Sequence, residues 1–150
     1  MNGLFGRGGI GIGLAAGLAA LLAGCTVSGR SVVAEVDGGE WSAPVELLLP
    51  NSDTLGRYDW QLFLRCAERL PADSFTLRIT VLTPDSLRFE ELLPVRLSAQ
   101  PAPAPVMPPI EIDYRREVQL ARTGLYRLRI GPLQPLRGIE AVGIQTLKCD

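Results

Sequence analysis

Apolar side chains recur at every second position over most of the sequence after residue 30. The pattern is clearest in residues 32–36, 60–66, 75–81 and 126–130, where apolar and polar residues alternate. Successive side chains of a strand point to opposite faces, so this period predicts half-buried β-strands rather than helices. Turn sequences such as Asp37-Gly38-Gly39 and Thr83-Pro84-Asp85-Ser86 separate the segments. The sequence therefore predicts an all-β fold.

About eight such strands predict a single antiparallel β-sandwich, jelly-roll or immunoglobulin-like, over residues 31–150. Residues 139–147 are apolar almost throughout, which is typical of a strand covered on both faces. We further expect a tight hairpin turn at residues 122–124 and one helical turn at residues 136–138. Glu91 breaks the alternation of its segment, which indicates a bulge, an edge strand or a break. Arg116 is a similar exception in the next segment.

Five prolines fall within residues 101–109. Proline cannot donate to a strand ladder, so this stretch does not belong inside a central strand. Only about 40 residues follow it, too few for a separate core. We therefore expect a stiff crossover loop within one domain.

The first 25 residues have the order of an export signal. A single positive charge, Arg7, precedes an uncharged run over residues 8–24 that is rich in Ile, Leu, Ala and Gly. The run is shorter than the roughly 20 residues of a spanning helix. It ends in Leu22-Ala23-Gly24-Cys25, which resembles the lipobox of bacterial lipoproteins. The sequence predicts a signal peptide over residues 1–24, lipid on Cys25 and a tether over residues 25–30; the alternative is an ordinary secretory signal.

The chain contains no histidine. This excludes Ser-His-Asp and Cys-His catalysis and every zinc site that uses histidine. Cleavage of the leader removes Arg7, one of 15 Lys and Arg residues, and leaves 14 against 16 Asp and Glu, a net charge of −2. A chain of this charge without a basic run offers no footprint for nucleic acid. We expect no catalysis, no cofactor and no metal.

Two sets of side chains are candidates for a site. Glu90 and Glu91 are neighbours and point to opposite faces of a strand, whereas Glu111 and Asp113 share one face. Because Arg115 follows on that face, we interpret the second pair as a solvated edge. The aromatic residues could bind a sugar or fill the core, and the core is the expected place for them: Trp41, Tyr58, Trp60, Phe63 and Tyr114.

Two cysteines remain once Cys25 carries lipid. Export would place Cys66 and Cys149 in an oxidising compartment, where a pair can form a disulfide. The alternative is one buried and one exposed thiol. The sequence leaves both open, since a bridge depends on the separation of the two Cα atoms.

Several segments along the chain together suggest a family: the lipobox, Glu40-Trp41, residues 56–65, residues 77–85 and, most specifically, residues 124–130 with 136–144. In this order they resemble the gliding-motility lipoprotein H family. The resemblance implies a non-catalytic, envelope-anchored component of a gliding apparatus, or a relative retained for another envelope task. The last pair of segments also recurs in jelly-roll binding modules, so a carbohydrate- or ligand-binding module is the alternative.

The residues after the lipobox bear on location. Thr26 stands where inner-membrane lipoproteins commonly carry aspartate, which favours the outer membrane. Residues 26–30 lack the acidic cluster of surface-exported lipoproteins, so we expect a domain that faces the periplasm. The expected partners are the membrane, through the anchor, and other envelope proteins.

Overall fold

The computed structural model describes residues 29–150. The predicted signal peptide and Cys25 lie outside the described residues. Among residues 29–150, no helix has both the length and the apolar character needed to cross a membrane.

Ten strands occur in the described part of the chain, eight of which have seven or more residues. A short 3-10 turn at Asp37–Gly39 lies between the first two. The strands are β1 (Gly29–Glu35), β2 (Glu40–Trp41), β3 (Val45–Asn51), β4 (Tyr58–Cys66), β5 (Ser74–Leu82), β6 (Arg88–Arg96), β7 (Ile110–Val118), β8 (Gly124–Pro132), β9 (Leu136–Arg137) and β10 (Ile139–Lys148).

The eight long strands form two four-stranded antiparallel sheets. The first sheet has the order β1-β10-β4-β7 and the second has the order β3-β8-β5-β6, while β2 and β9 form a two-residue ladder of their own. Only β5 and β6 are neighbours both in sequence and in a sheet; every other pairing joins strands distant in sequence, and two sheets of this order make a jelly roll. The predicted all-β sandwich of about eight strands is confirmed.

The core lies between the sheets and is built from the predicted alternation. Trp60, Leu62 and Leu64 point inward from β4, whereas Arg65 points to solvent. The second sheet contributes inward residues from β5 and β8 in the same way, among them Ile79 and Leu128. Burying these apolar side chains is the main force that holds the two sheets together.

Strand β10 is covered on both faces, as its sequence predicts. It lies between β1 and β4, and four successive residues, Ala141 to Ile144, are all buried. On the outer face the ring of Phe63 occupies the space where a side chain at Gly143 would lie. Gly143 thus lets an aromatic ring of the neighbouring strand cover the backbone of β10.

Three local predictions are wrong in detail. Residues 122–124 are not a hairpin turn, because β7 and β8 belong to different sheets and residues 119–123 cross between them. Asn51 holds this crossing in place by donating from Nδ2 to the carbonyl oxygens of Leu120 (3.3 Å) and Arg122 (2.8 Å). Residues 136–138 are not helical, because Leu136 pairs with Trp41 in the β2–β9 ladder. Strand β1 begins at Gly29, two residues before the predicted start of the domain.

The proline-rich residues 101–109 form the predicted crossover. They connect β6 in the second sheet to β7 in the first. These two strands are the edges of their sheets on one side of the sandwich, and β1 and β3 are the edges on the other side. There β1 contacts β3, and the guanidinium of Arg30 donates to the carbonyl oxygen of Pro50. Of the three interpretations of Glu91, the edge strand is the correct one, since β6 pairs with β5 without a shift in register.

Candidate functional site

Edge strands β6 and β7 enclose a cleft of about 810 Å³ between the two sheets. We call it the interlayer cleft. Buried core residues form its floor, namely Trp60, Ile79 and Tyr126. Residues of the loop after β7, including Leu120, close one end. The cleft is thus a direct continuation of the hydrophobic core toward solvent.

Apolar side chains of the inner face remain exposed in this cleft. Phe89 shares the inward parity of Leu93 and Val95 on β6, yet 59% of its surface is accessible, whereas Val95 is buried. Leu87, just before β6, also lines the cleft and is exposed. In a filled sandwich both positions would contact the opposite sheet. The inner surface of β6 therefore lacks a covering layer over its first half.

A hydrogen-bonded cluster joins β6 to β7 across the interlayer cleft. The carboxylate of Glu91 on β6 accepts from the hydroxyl of Tyr114 and from Nη2 of Arg115 (2.7 Å), both on β7. The guanidinium carbon of Arg115 also lies 5.4 Å from the centre of the Tyr114 ring. Tyr114 in turn packs against Trp60, with ring centres 6.3 Å apart. This cluster links the polar edge to the core.

The contacts of the cluster favour an ionised Glu91 and a neutral Tyr114. Partial burial acts to raise the pKa of Glu91, but the hydrogen bonds from Tyr114 and Arg115 outweigh it, and the pKa is lowered. Burial, followed by the hydrogen bond to Glu91, raises the pKa of Tyr114 to about 12. At neutral pH the site therefore holds a carboxylate, a neutral phenol and a guanidinium. Their polar atoms are already bonded to one another.

Two further ion pairs lie at the rim of the interlayer cleft. Arg88 is 2.8 Å from Glu90, and Arg122 is 3.4 Å from Asp85. With the Glu91–Arg115 pair, the rim carries equal numbers of positive and negative groups. The cleft therefore offers apolar surface within a rim whose charges cancel.

A second cavity, of about 270 Å³, opens at the same end of the sandwich, beside β1 and β3. It shares Trp60 and Leu120 with the interlayer cleft, and Gly29, the first described residue, is part of its wall. The loop between β3 and β4 forms its outer border. Both cavities therefore belong to one end of the molecule.

Asp53 organises that loop. Its carboxylate accepts from the backbone N–H of Gly56 (2.8 Å) and of Leu55 (3.0 Å), and from the hydroxyl of Tyr58 (2.9 Å). The ammonium group of Lys148 lies 3.3 Å away. These bonds, the one from Gly56 above all, lower the pKa of Asp53 to about 2. The loop is thus fixed by one ionised side chain.

This shift has a consequence for acid stability. Because the folded pKa of Asp53 lies below its ordinary 3.8, its contribution to stability is present above about pH 4 and disappears as the pH falls toward about 2. We expect Asp53→Asn to be less stable than the wild type near neutral pH, with a difference that vanishes between pH 4 and pH 2. Urea unfolding at a series of pH values measures it. Asp37→Asn is the control for loss of a surface charge, and a difference for Asp53→Asn that stays constant with pH would contradict the prediction.

The structure separates the aromatic candidates. Trp41 and Trp60 are buried in the core, as expected, and Tyr58 and Phe63 are half-buried at different places in the first sheet. Tyr114 alone of the five has a polar role in the interlayer cleft. Phe89 was not a sequence candidate. The sequence did contain one hint: Phe89 lies on the inward face of its strand, two residues before Glu91, which is a charged residue on that same face.

The acidic candidates lie where the strand geometry predicts. Glu90 points outward to Arg78 and Arg88, whereas Glu91 points into the cleft, so the two neighbours serve opposite faces. Glu111 and Asp113 lie exposed on the outer face of β7. In the described residues, no group of three Cys, Asp or Glu side chains is placed to hold a metal ion.

The two cysteines are free thiols in the structure. Cys66 ends β4, whereas Cys149 follows β10 at the opposite end of β4, where its N–H donates to the carbonyl oxygen of Arg57 (2.9 Å). The register pairs Lys148 with Tyr58, eight residues from Cys66, a distance of roughly 26 Å along a strand. A disulfide needs Cα atoms within about 7 Å. Of the two alternatives, the structure therefore has separate thiols, and burial raises the pKa of Cys66 to about 11.

Comparison of the chain with protein-family models, with curated proteins and with solved structures gave no match.

Proposed function

We propose that this chain is an envelope lipoprotein, anchored through Cys25 in the outer membrane and facing the periplasm, that acts by binding a partner protein in the interlayer cleft. In this proposal it is an assembly component without catalytic activity, in keeping with its resemblance to the gliding-motility lipoprotein H family. The observation that carries the proposal is Phe89, an inner-face aromatic residue that is 59% exposed. Exposed apolar surface rimmed by polar groups is typical of a binding site.

The chemistry of the cleft supports binding rather than reaction. The carboxylate of Glu91, the phenol of Tyr114 and the guanidinium of Arg115 satisfy one another. These contacts link the two sheets and place one polar group of fixed position inside the cleft. Around them the walls are apolar, so an extended segment of a partner could bury its own apolar side chains against Phe89.

Two substitutions on one strand test the cleft. Phe89 and Leu92 lie on opposite faces of β6 and have similar exposure, 59% and 54%. Burial of a phenylalanine is worth about 1.5–3 kcal/mol, so we expect Phe89→Arg to weaken partner binding about 10- to 100-fold. The matched control, Leu92→Arg, adds the same charge on the outer face and should bind as the wild type does. Full-length protein is captured on beads and exposed to detergent-solubilised envelope. The bound protein identifies the partner, and titration of that partner measures the affinity of each variant.

The results discriminate between outcomes. A partner lost with Phe89→Arg and retained with Leu92→Arg supports the cleft. Equal binding by both variants would contradict it. The anchor is tested separately, by mass spectrometry of the native protein: an N-terminus at Cys25 with acyl mass supports the lipoprotein, and any other N-terminus overturns it.

A carbohydrate-binding module is the second candidate. Phe89 and Tyr114 place aromatic rings on opposite walls of the cleft, and the Arg88–Glu90 pair stands nearby as a source of hydrogen bonds. Aromatic walls with a few placed polar groups are typical of a site for a small ligand. A glycan array with the same two variants tests it: signal that Phe89→Arg abolishes, without any protein partner, would replace the first candidate by the second.

A further inference from the structure

One end of the sandwich collects three loops and the start of β1. In the first sheet Gly29 pairs with Leu147, and Tyr58 pairs with both Lys148 and Val118. The strands that begin or end at these positions therefore share one end of the molecule. In the second sheet the same end holds the β5–β6 connection. We call this the loop end; it comprises residues 52–57, 83–87 and 119–123 together with Gly29.

The loop end presents a leucine that nothing in the fold requires. Leu55 is 84% exposed at the tip of residues 52–57. Its loop is nevertheless well fixed, because Asp53 accepts from the N–H groups of Leu55 and Gly56, and Gln119 donates from Nε2 to the carbonyl oxygen of Thr54 (2.8 Å). The exposed position is thus built into the loop. Leu87, also exposed, lies in another loop of the same end.

Three cations at this end lie in ion pairs, whereas Arg30 donates to the carbonyl oxygen of Pro50 instead. Lys148 lies 3.3 Å from Asp53, and Arg57 lies 3.6 Å from Glu117. Arg122 lies 3.4 Å from Asp85, as described above. Asp59, which accepts from the N–H of Glu117, offsets the charge of Arg30. The exposed leucines therefore lie among positive and negative groups in equal number, and an anionic membrane surface is not strongly attracted to this end. A zwitterionic lipid surface fits both properties, since leucines enter the headgroup region and long basic side chains lie at its border.

The position of the proposed anchor agrees with this surface. Cys25 precedes Gly29 by four residues, and four residues of chain span at most about 14 Å. Gly29 lies in the wall of the cavity at the loop end. A lipid on Cys25 therefore brings this end, and not the opposite one, to the bilayer.

We propose that the loop end lies on the membrane surface, with Leu55 and Leu87 inserted into the headgroup region of a zwitterionic bilayer. The proposal rests on the lipid anchor at Cys25 proposed above. The interlayer cleft then opens beside the membrane rather than away from it. A partner would reach the cleft along the bilayer surface.

Two equally exposed residues at opposite ends of the fold give a matched test. Leu55 and Val106 are each 84% exposed, and Val106 lies in the β6–β7 crossover at the far end. Leu55→Cys and Val106→Cys are made in the full-length protein with Cys149→Ser, because Cys149 is partly exposed while Cys66 is buried. Each variant is labelled with bimane and reconstituted in phosphatidylcholine vesicles, with and without nitroxide-bearing lipid. Mass spectrometry of each preparation records the acyl mass on Cys25.

We expect the label at position 55 to shift to shorter wavelength and to be quenched by nitroxide lipid, in low and high salt alike. The label at position 106 should show neither effect. Acylated protein with no quenching at position 55, or with equal quenching at both, overturns the membrane contact and leaves the anchor intact. Quenching only when anionic lipid is added also overturns the proposal as stated. An absence of acyl mass overturns the anchor and, with it, this inference.

Discussion

Replacing Leu62 by alanine is expected to lower the free energy of unfolding by about 3–5 kcal/mol. Leu62 is fully buried at the middle of β4, between the ladders to β10 and to β7. Its neighbours on both sides are held by backbone hydrogen bonds, so they cannot move in to fill the cavity. The loss therefore includes both the lost burial and the remaining void. It is a large part of the 5–15 kcal/mol that stabilises a typical domain.

Equilibrium unfolding in urea, followed by tryptophan fluorescence, measures this loss. Both tryptophans, Trp41 and Trp60, are buried and become exposed on unfolding. Leu48→Ala is the control, because Leu48 lies exposed on the outer face of β3. We expect it to cost less than about 1 kcal/mol. Equal losses for the two variants would show that the two sheets do not share the described core.

Replacing Gly124 by alanine is expected to cost about 2–3 kcal/mol. Gly124 begins β8 with a φ of +125°, which L side chains rarely adopt, and a Cβ there would lie 2.8 Å from Cβ of Pro84. The proline ring cannot rotate away as a long side chain could. Backbone strain and a rigid contact therefore add at this position.

The glycine turn after β1 separates these two effects. Gly39 has a φ of +70°, but no atom lies within 4 Å of a Cβ added there. Gly39→Ala should therefore lose only about 1 kcal/mol, through backbone strain. Combining Pro84→Gly, which removes the contacting Cβ, with Gly124→Ala should recover part of the loss, and the double-mutant cycle gives the energy of the contact. If Gly124→Ala and Gly39→Ala lower the free energy of unfolding by the same amount, the contact with Pro84 does not contribute to the loss.

The apolar pattern was sufficient to predict the eight long strands and their inward faces, but not the short strands β2 and β9. Trp60, Leu62 and Leu64 are buried because one face of β4 meets the second sheet. Alternation does not determine which strands pair. The ladder between β1 and β10 joins Gly29 to Leu147, residues that are far apart in sequence, so packing of the whole sandwich decides it. For the same reason the hairpin expected at residues 122–124 is in fact a crossing between sheets.

The two exceptions to the alternation lie at the borders of the interlayer cleft. Glu91 and Arg116 each break the alternation, and they lie on β6 and β7, the two edges that border the cleft. Near Arg116 the register between β4 and β7 shifts, and Glu117 has a φ of +52°. The sequence could not show that these two edges face each other. It therefore gave no reason to associate Phe89 and Glu91 with Tyr114.

The width of the opening between β6 and β7 is set by side chains. In residues 29–150 these strands belong to separate ladders, and the Glu91 contacts with Tyr114 and Arg115 span the gap. A half-exposed ion pair of this kind contributes about 0–1 kcal/mol. Because β6 and β7 share no ladder, loss of the Glu91 contacts would leave every backbone ladder intact, and the apolar core would still hold the two sheets together. The side chains that border the opening can therefore change rotamer without breaking a backbone hydrogen bond between strands.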